Sequence, residues 1–466
     1  MTIGMHLRGC RGVGASLKRA PGKENQIMKK HMKRITGLVV AVMMAFALCA
    51  CGNGDSDSNS GGGGSGSGDK ELNIAWIGPV TGSASRSGEE LYNGAMMQFE
   101  KIDYKIGDYT LKVHKVDSES NAEKAALAYE ECILSNKIDV GLNTWHSWVS
   151  ASCIEVAAKY EIPQLLTFGA SQDVIDKVKD DYDYYKYWCG KTWPQPEHLV
   201  EGYVDAINAA IDAGTFKPSS KTLGIYGVDE DWGRTFAKAG KSGFEADGWT
   251  CAVEEYFALG TTDYYAVLNK MKDAGCTLIC GTMSDVNAAT AFIKQADEVG
   301  LEALVICDGL GWLSEWYELT GSASDYVIDM IPQYATESGK QFVKEYTEKY
   351  GYEPGPSTAG LAYDTAGFFL KVLQTTLDEY GELTSETIMK CWEEKVMTGD
   401  LAYTMEDDDA IMMPSWDYSD SEMYPDPVVD SEHYCFPVVQ YFDGKAVPVY
   451  PDSMAAQDLQ VPGSGN

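Results

Sequence analysis

Histidine is scarce in this chain: six in 466 residues. Beyond residue 70 there are only His114, His146, His198 and His433, none in a metal-binding or catalytic-triad pattern. No G-x-S-x-G turn is present to raise a serine nucleophile, so hydrolase chemistry of that type is disfavoured. No cysteine pair shows zinc spacing with histidine. The apolar run Ile35–Ala47 falls short of the ~20 residues needed to span a bilayer. Positive charge is also short, with 37 Lys/Arg against 70 Asp/Glu. Nine of the basic residues but only one of the acidic ones precede Cys51, so the remainder has 28 basic and 69 acidic residues, net −41. Such a surface repels nucleic acid and anionic lipid, and it favours solubility in an exposed location. GGGGSGSG is not a phosphate loop, because neither a preceding strand nor a following Lys-Ser/Thr accompanies it.

What is present begins at the N-terminus. Lys29, Lys30, Lys33 and Arg34 precede the apolar run, which ends in Leu48-Cys49-Ala50-Cys51. A basic segment, a short apolar segment and a small-residue cleavage site make a secretory signal. Leu48, Ala50 and Cys51 resemble the lipobox of bacterial lipoproteins, which implies that Cys51 is the lipid-bearing mature N-terminus. Residues 1–27 read as an upstream extension. Residues 52–68 hold nothing that could pack in a core and read as a flexible Gly/Ser tether. Its coil reach is roughly 20–25 Å, which keeps the body close to the membrane.

The roughly 400 residues that follow exceed one ordinary core, so two lobes are expected. Strand-like ELNIAWIG, TLKVHKV, KIDVGL and IPQLLTF alternate with helical segments at 88–102, 121–134 and 149–160, with Asn121 as an N-cap. After Thr192 the pattern restarts: TLGIYGV, helix 231–246, WTCAVEEYF, helix 263–274, CTLICGT, helix 285–299, EALVICD. Segments 359–379 and 385–396 read as helices, and PVVQYFDGKAVPVYP as a hairpin about Asp443-Gly444. Repeated βαβ units predict α/β architecture with parallel sheets. Ligands in such sheets bind beyond the carboxyl ends of the strands. That singles out the loops Gly78–Gly88, Asn143–Val149, Thr167–Asp173, Val228–Gly233, Gly281–Asp285 and Cys307–Trp312. They are rich in Ser, Thr, Gly, Trp and Asp, which suits a small polar organic ligand. Nine cysteines lie beyond Cys51, several in apolar strand-like runs, so at least one thiol is expected to be free.

IAWIGPVTGSASRSGEELYNGAMMQFEKI, VDSESNAEKAALAYEECI, AAKYEIPQLLTFGASQDV and DEDWGRTFAKAGKSGFEADGWTCAVEEYF occur in that order, with DGKAVPVYP closing. From Glu71 to Pro451 the chain thereby resembles the solute-binding proteins of branched-chain and other amino-acid ABC importers, with the type I periplasmic-binding fold. The resemblance implies two Rossmann-like lobes joined by a three-strand hinge, near residues 191, 325 and 402. One lobe is expected from 70–191 plus 325–402 and the other from 192–324 plus 403–461, after the 1–50 leader and 51–69 tether. It places the ligand carboxylate at Gly169 and Ser171 and the ligand ammonium at Asp308. It adds the loop Thr144–Ser147, including Trp145 and His146, with Trp232, Thr282 and Ser87. Trp145 and Trp232 depart from the branched-chain pattern and point to a flat, aromatic or larger amine-bearing ligand.

Each residue has a plainer reading beside this one. Asp308 and Ser171 could cap helices, Trp145 and Trp232 could be core, and His146 could be solvated or structural. Glu406–Asp409 and the acidic stretch to Glu432 read as solvated surface rather than a calcium loop. The expectation is therefore a monomeric, lipid-anchored binding protein on the extracytoplasmic face. It takes no cofactor or nucleic acid, and an amino-acid-like solute, an ABC permease and the bilayer are its partners. The alternatives are a sensory receptor lipoprotein, a binder of an amide, urea or aromatic acid, and least of all an extracellular enzyme.

Overall fold

The run Lys70–Gly78 buries Leu72, Ile74, Ala75, Trp76 and Ile77 together, on both faces, as a central strand of a parallel sheet must. A computed structural model of the chain describes residues 70–312, 315–419, 421 and 423–462, so the signal, Cys51 and the tether lie outside the described residues. The first sheet contains β1 (Lys70–Gly78), β2 (Lys105–Ile106), β3 (Tyr109–Asp117), β4 (Val140–Leu142), β5 (Gln164–Thr167) and β6 (Trp188–Lys191). Its order is β2-β3-β1-β4-β5-β6, and all pairings are parallel except β2 with β3.

The second sheet contains β7 (Thr222–Val228), β8 (Thr250–Phe257), β9 (Leu278–Thr282), β10 (Leu304–Asp308) and β11 (Ile328–Met330). After a small pair, β12 (Tyr403–Thr404) with β13 (Ser415–Trp416), it is completed by β14 (Val438–Phe442) and β15 (Lys445–Tyr450). The order β15-β14-β11-β10-β9-β7-β8 places the antiparallel hairpin at one edge. Asp443 and Gly444 both take positive φ, 46° and 76°, as the tight two-residue turn read from the sequence requires. Helix 121–134 is observed as Ala122–Asn136, with the Asn121 side chain accepting from the Lys124 N–H, and helix 231–246 as Asp231–Ala246. Among the described residues no helix is long and apolar enough to cross a membrane.

The lobe boundaries need correction. β11 pairs with β10 and β14, so the second sheet runs to Met330, past the expected crossing at 325. Part of the segment after 403, expected in the second lobe, instead binds the first. Asp364 is buried on helix Leu361–Tyr380 and accepts the backbone N–H groups of Ile411 and Met412 at 2.7 and 2.9 Å and the Trp416 indole at 3.2 Å. The helical turn Pro356–Gly360 that leads into that helix packs so closely on helix Ser85–Lys101 that a Cβ at Gly94 would lie 2.2 Å from the Ala359 carbonyl oxygen. Helices Pro196–Ala213 and Glu337–Tyr350 were not read from the sequence at all. The nine described cysteines are free thiols, seven of them buried. In the acidic stretch, Asp408 pairs with Lys371 and Asp409 with Lys101.

Candidate functional site

The loops beyond the carboxyl ends of both sheets converge on one recess with about 390 Å³ of empty space, open on one side. Its wall is Trp145, His146, Ser147, Trp148, Phe168, Ala170, Trp193, Trp232, Ser284 and Trp312. Five of the chain's eleven tryptophans therefore face one small volume, and no charged side chain joins them. Trp145 and Trp148 lie on the β4 loop and the first turn of helix Ser147–Tyr160, and Phe168 and Ala170 follow β5. Trp193 follows β6, Trp232 opens helix Asp231–Ala246 after β7, Ser284 follows β9 and Trp312 follows β10.

The rings brace one another across the two halves. Trp312 meets Trp145 edge-on, with centroids 5.5 Å apart at 81°, and Trp193 at 6.2 Å and 80°. Trp145 also packs on Phe168 at 5.5 Å, and His146 lies 4.3 Å from Trp148. Glu90 helps to position Trp312. Its buried carboxylate accepts the Gly355 N–H at 2.9 Å and the Thr358 hydroxyl at 2.5 Å, and Thr358 reaches the Trp312 carbonyl oxygen at 3.5 Å. Burial pushes the Glu90 carboxyl up to about 7, against the lowering effect of those donors.

The polar atoms near the recess divide into two sets. Burial pushes the His146 imidazole down to about 3, so the ring is neutral, and its Nδ1 has no protein partner. The indole N–H groups of Trp193 and Trp312 are likewise buried without one. Trp232, by contrast, donates its indole N–H to Thr282 Oγ1 at 3.0 Å, and Thr282 donates to the Asp308 backbone carbonyl oxygen at 2.9 Å.

The residues expected from the sequence are thus separated. Trp145, His146 and Trp232 line the recess. Thr282 and Asp308 are fully buried and do not line it, and Asp308 Oδ1 accepts the Tyr203 hydroxyl at 2.8 Å. Gly169 packs beneath the wall, where a Cβ would lie 2.0 Å from Ser150 Oγ. Ser171 precedes helix Gln172–Asp180, and its buried hydroxyl has no hydrogen-bond partner in the protein. Ser87 lines an adjoining recess of about 610 Å³ with Arg86 and Glu315, which shares Ser284 and Trp312 with the first. Trp148, Phe168, Ser284 and Trp312 were not singled out, although each sits in a loop that strand polarity marks as a ligand loop. Trp193 lies outside those loops, just past the point where the strand pattern restarts.

Among the described residues no group of three or more His, Cys, Asp or Glu is placed to hold a metal ion. The recess can enclose and orient an organic ligand, and no hydrogen bond joins its His146 to the lining hydroxyls of Ser147 or Ser284.

The chain is similar to a Leu/Ile/Val-binding protein homologue of Brucella suis, 20% identical over 400 residues, 82% of this chain and 92% of the relative. It shares its fold with a branched-chain amino-acid substrate-binding protein of Streptococcus pneumoniae in complex with isoleucine. There the TM-score is 0.63 at 18% identity, covering 81% of this chain and 98% of the other. A solute-binding protein of R. palustris in complex with benzoate gives a TM-score of 0.64 at 18% identity, over 84% and 100%. Residues 71–413 match the family model described as periplasmic binding protein. A recess formed by loops of two Rossmann-like sheets suits the binding of a solute, and the chain belongs to the periplasmic binding protein family.

Proposed function

We propose that this protein is the extracytoplasmic, lipid-anchored receptor of an ABC importer. It captures one small, amino-acid-like organic solute between its lobes and delivers it to a membrane permease. The observation that carries the reading is a tryptophan-rich recess walled by strand-end loops of both sheets, where a ligand would touch both halves at once. A ligand with contacts on both sides favours the closed arrangement and shifts the population toward it. The names of the relatives, which concern branched-chain amino acids and ABC transport, support the same role. The aromatic wall favours one variant within it, an aromatic solute such as the benzoate held by the R. palustris protein. Anchoring through Cys51 rests on the sequence alone; mass spectrometry of the mature protein should find the lipid there, and Cys51→Ser should leave the membrane fraction.

The test is a thermal-shift screen of amino acids, betaines, amides and aromatic acids, followed by calorimetry and small-angle scattering. A solute at 100 times its Kd should stabilise the protein by about 2.7 kcal/mol. The bound form should have the smaller radius of gyration. If a saturating ligand leaves that radius unchanged, the two-lobed capture mechanism fails.

A further inference from the structure

We propose that the tryptophan-walled recess selects a solute carrying a methylated, permanently charged ammonium group; the inference rests on reading that recess as the solute site. Three observations lead there. First, five indoles line the space and are not parallel: Trp312 is near-perpendicular to both Trp145 and Trp193. A cation over an indole face is attracted by the ring quadrupole, most strongly where water is excluded.

Second, the lining holds neither a cationic side chain nor a carboxylate. A carboxylate would meet no cation here, since His146 is neutral, although the unpartnered Trp193 and Trp312 indole N–H groups could donate to it. A primary ammonium would need acceptors for three N–H donors, and the carboxylate expected to serve it, Asp308, is sealed behind Trp232 and bonded to Tyr203. A trimethylammonium group has no N–H to satisfy, and its methyl groups pack on the rings.

Third, carboxylates stand just outside the wall. Glu230, held near 7 by its burial and so ionised only as pH rises through that value, accepts the hydroxyl of the lining residue Ser284 at 2.6 Å, and Asp231 adjoins Trp232 in the chain. With a chain charge of −33, the field around the mouth favours a cation.

The experiment titrates the full chain with choline, with tetramethylammonium, and with 3,3-dimethylbutan-1-ol, the uncharged carbon isostere of choline. Leucine and benzoate serve as controls, and intrinsic tryptophan fluorescence and calorimetry are the readouts. Choline should bind at least about tenfold tighter than its isostere, a difference of about 1.4 kcal/mol. Trp312→Leu should weaken choline about tenfold or more and the isostere much less. Trp145→Phe, a milder change, should weaken choline by roughly threefold if Trp312→Leu does not fold. Equal affinity for choline and the isostere would overturn the proposal. Binding of leucine or benzoate with no binding of either onium compound would also overturn it, while leaving the solute-receptor reading intact. Failure of every compound in this set and in the wider screen would overturn both.

Discussion

Two buried ionisable pairs back the aromatic recess, and they are built on opposite principles. Beside Trp193, Lys191 and Asp426 pair opposite charges with both side chains fully buried. Asp426 also accepts the Gln195 backbone N–H at 2.7 Å, so the crossing from β6 into the second half is pinned at residues 191 and 195. Behind Trp232, Asp308 and Asp329 place two acids together. Asp329 accepts four hydrogen bonds, from the N–H groups of Gly309, Gly311 and Met330 and from the Tyr441 hydroxyl at 2.7 Å. Burial pushes the Asp329 carboxyl up, and those donors oppose the push. Burial and the neighbouring Asp329 push Asp308 well up, so the pair retains its proton on Asp308. Charge around this site is thus spent on holding its walls, and the walls themselves carry none.

The largest expected effect comes from breaking the opposite-charge pair. Asp426→Ala strands the Lys191 ammonium in the interior and should cost about 3–5 kcal/mol by denaturant unfolding. A double change, Lys191→Met with Asp426→Leu, should recover most of that loss, because an apolar pair of similar volume needs no compensation. A loss below about 1 kcal/mol for Asp426→Ala would mean that the pair contributes little, and the contrast with the acid pair would dissolve.

The second effect concerns pH. The Glu90 carboxyl moves from an ordinary 4.5 to about 7 because it is buried, and Glu230 does the same. The folded protein therefore holds these protons more tightly than the unfolded chain. Their contribution is fully present below about pH 4.5 and is lost as pH rises through about 7. For Glu90 the displacement corresponds to about 3 kcal/mol. Stability measured at pH 5 and pH 8 should fall in the wild type, and the fall should shrink by about that amount in Glu90→Gln. Identical pH profiles would show that Glu90 is ionised throughout and held by Arg86, 3.2 Å away.

A smaller effect sharpens the division at Trp232. Trp232→Phe keeps an aromatic face toward the recess but removes the N–H that Thr282 accepts at 3.0 Å. The cost should be about 1 kcal/mol of stability, with a severalfold loss of ligand affinity. If stability does not change in thermal melts, the indole's hydrogen bond is not what seals Asp308 from the recess.

How much of this was legible in the sequence follows from period and polarity. The βαβ alternation located the core strands of both sheets, because parallel strands buried on two faces read as apolar runs, as LICGT and LVICD do. Strand polarity then marked the loops that carry Trp145, Trp148, Trp232 and Trp312. Helix Pro196–Ala213 escaped, although its apolar residues recur at helical spacing and it ends at a left-handed Gly214; with it went Tyr203, the partner of Asp308. The stretch after 403 escaped because its organisation depends on one distant carboxylate, Asp364, and leaves no period in the sequence. The packing of Asp308 against Tyr203 was invisible for a related reason. A carboxylate at a strand end can face a ligand or a neighbouring helix, and only Tyr203 decides which.

Asp308→Asn is the smallest expected change and the most informative. The amide keeps the carboxyl's shape, still accepts from the Tyr203 hydroxyl, and needs no shared proton beside Asp329. Stability should stay within about 1 kcal/mol of wild type. Affinity for the transported solute should change by less than about threefold, because the side chain lies outside the lining of the recess. The contact implied by resemblance gives a different number. Removing one partner of a buried, hydrogen-bonded charge pair typically costs 2–5 kcal/mol, which is about 30-fold or more in Kd. The two accounts differ by at least about a factor of ten, within easy reach of calorimetry on the identified solute. A 30-fold loss would mean that Trp232 moves aside on binding and that Asp308 reaches the ligand, so the acid pair would belong to the site rather than to its scaffold. Near-equal affinity would leave recognition to the indole faces.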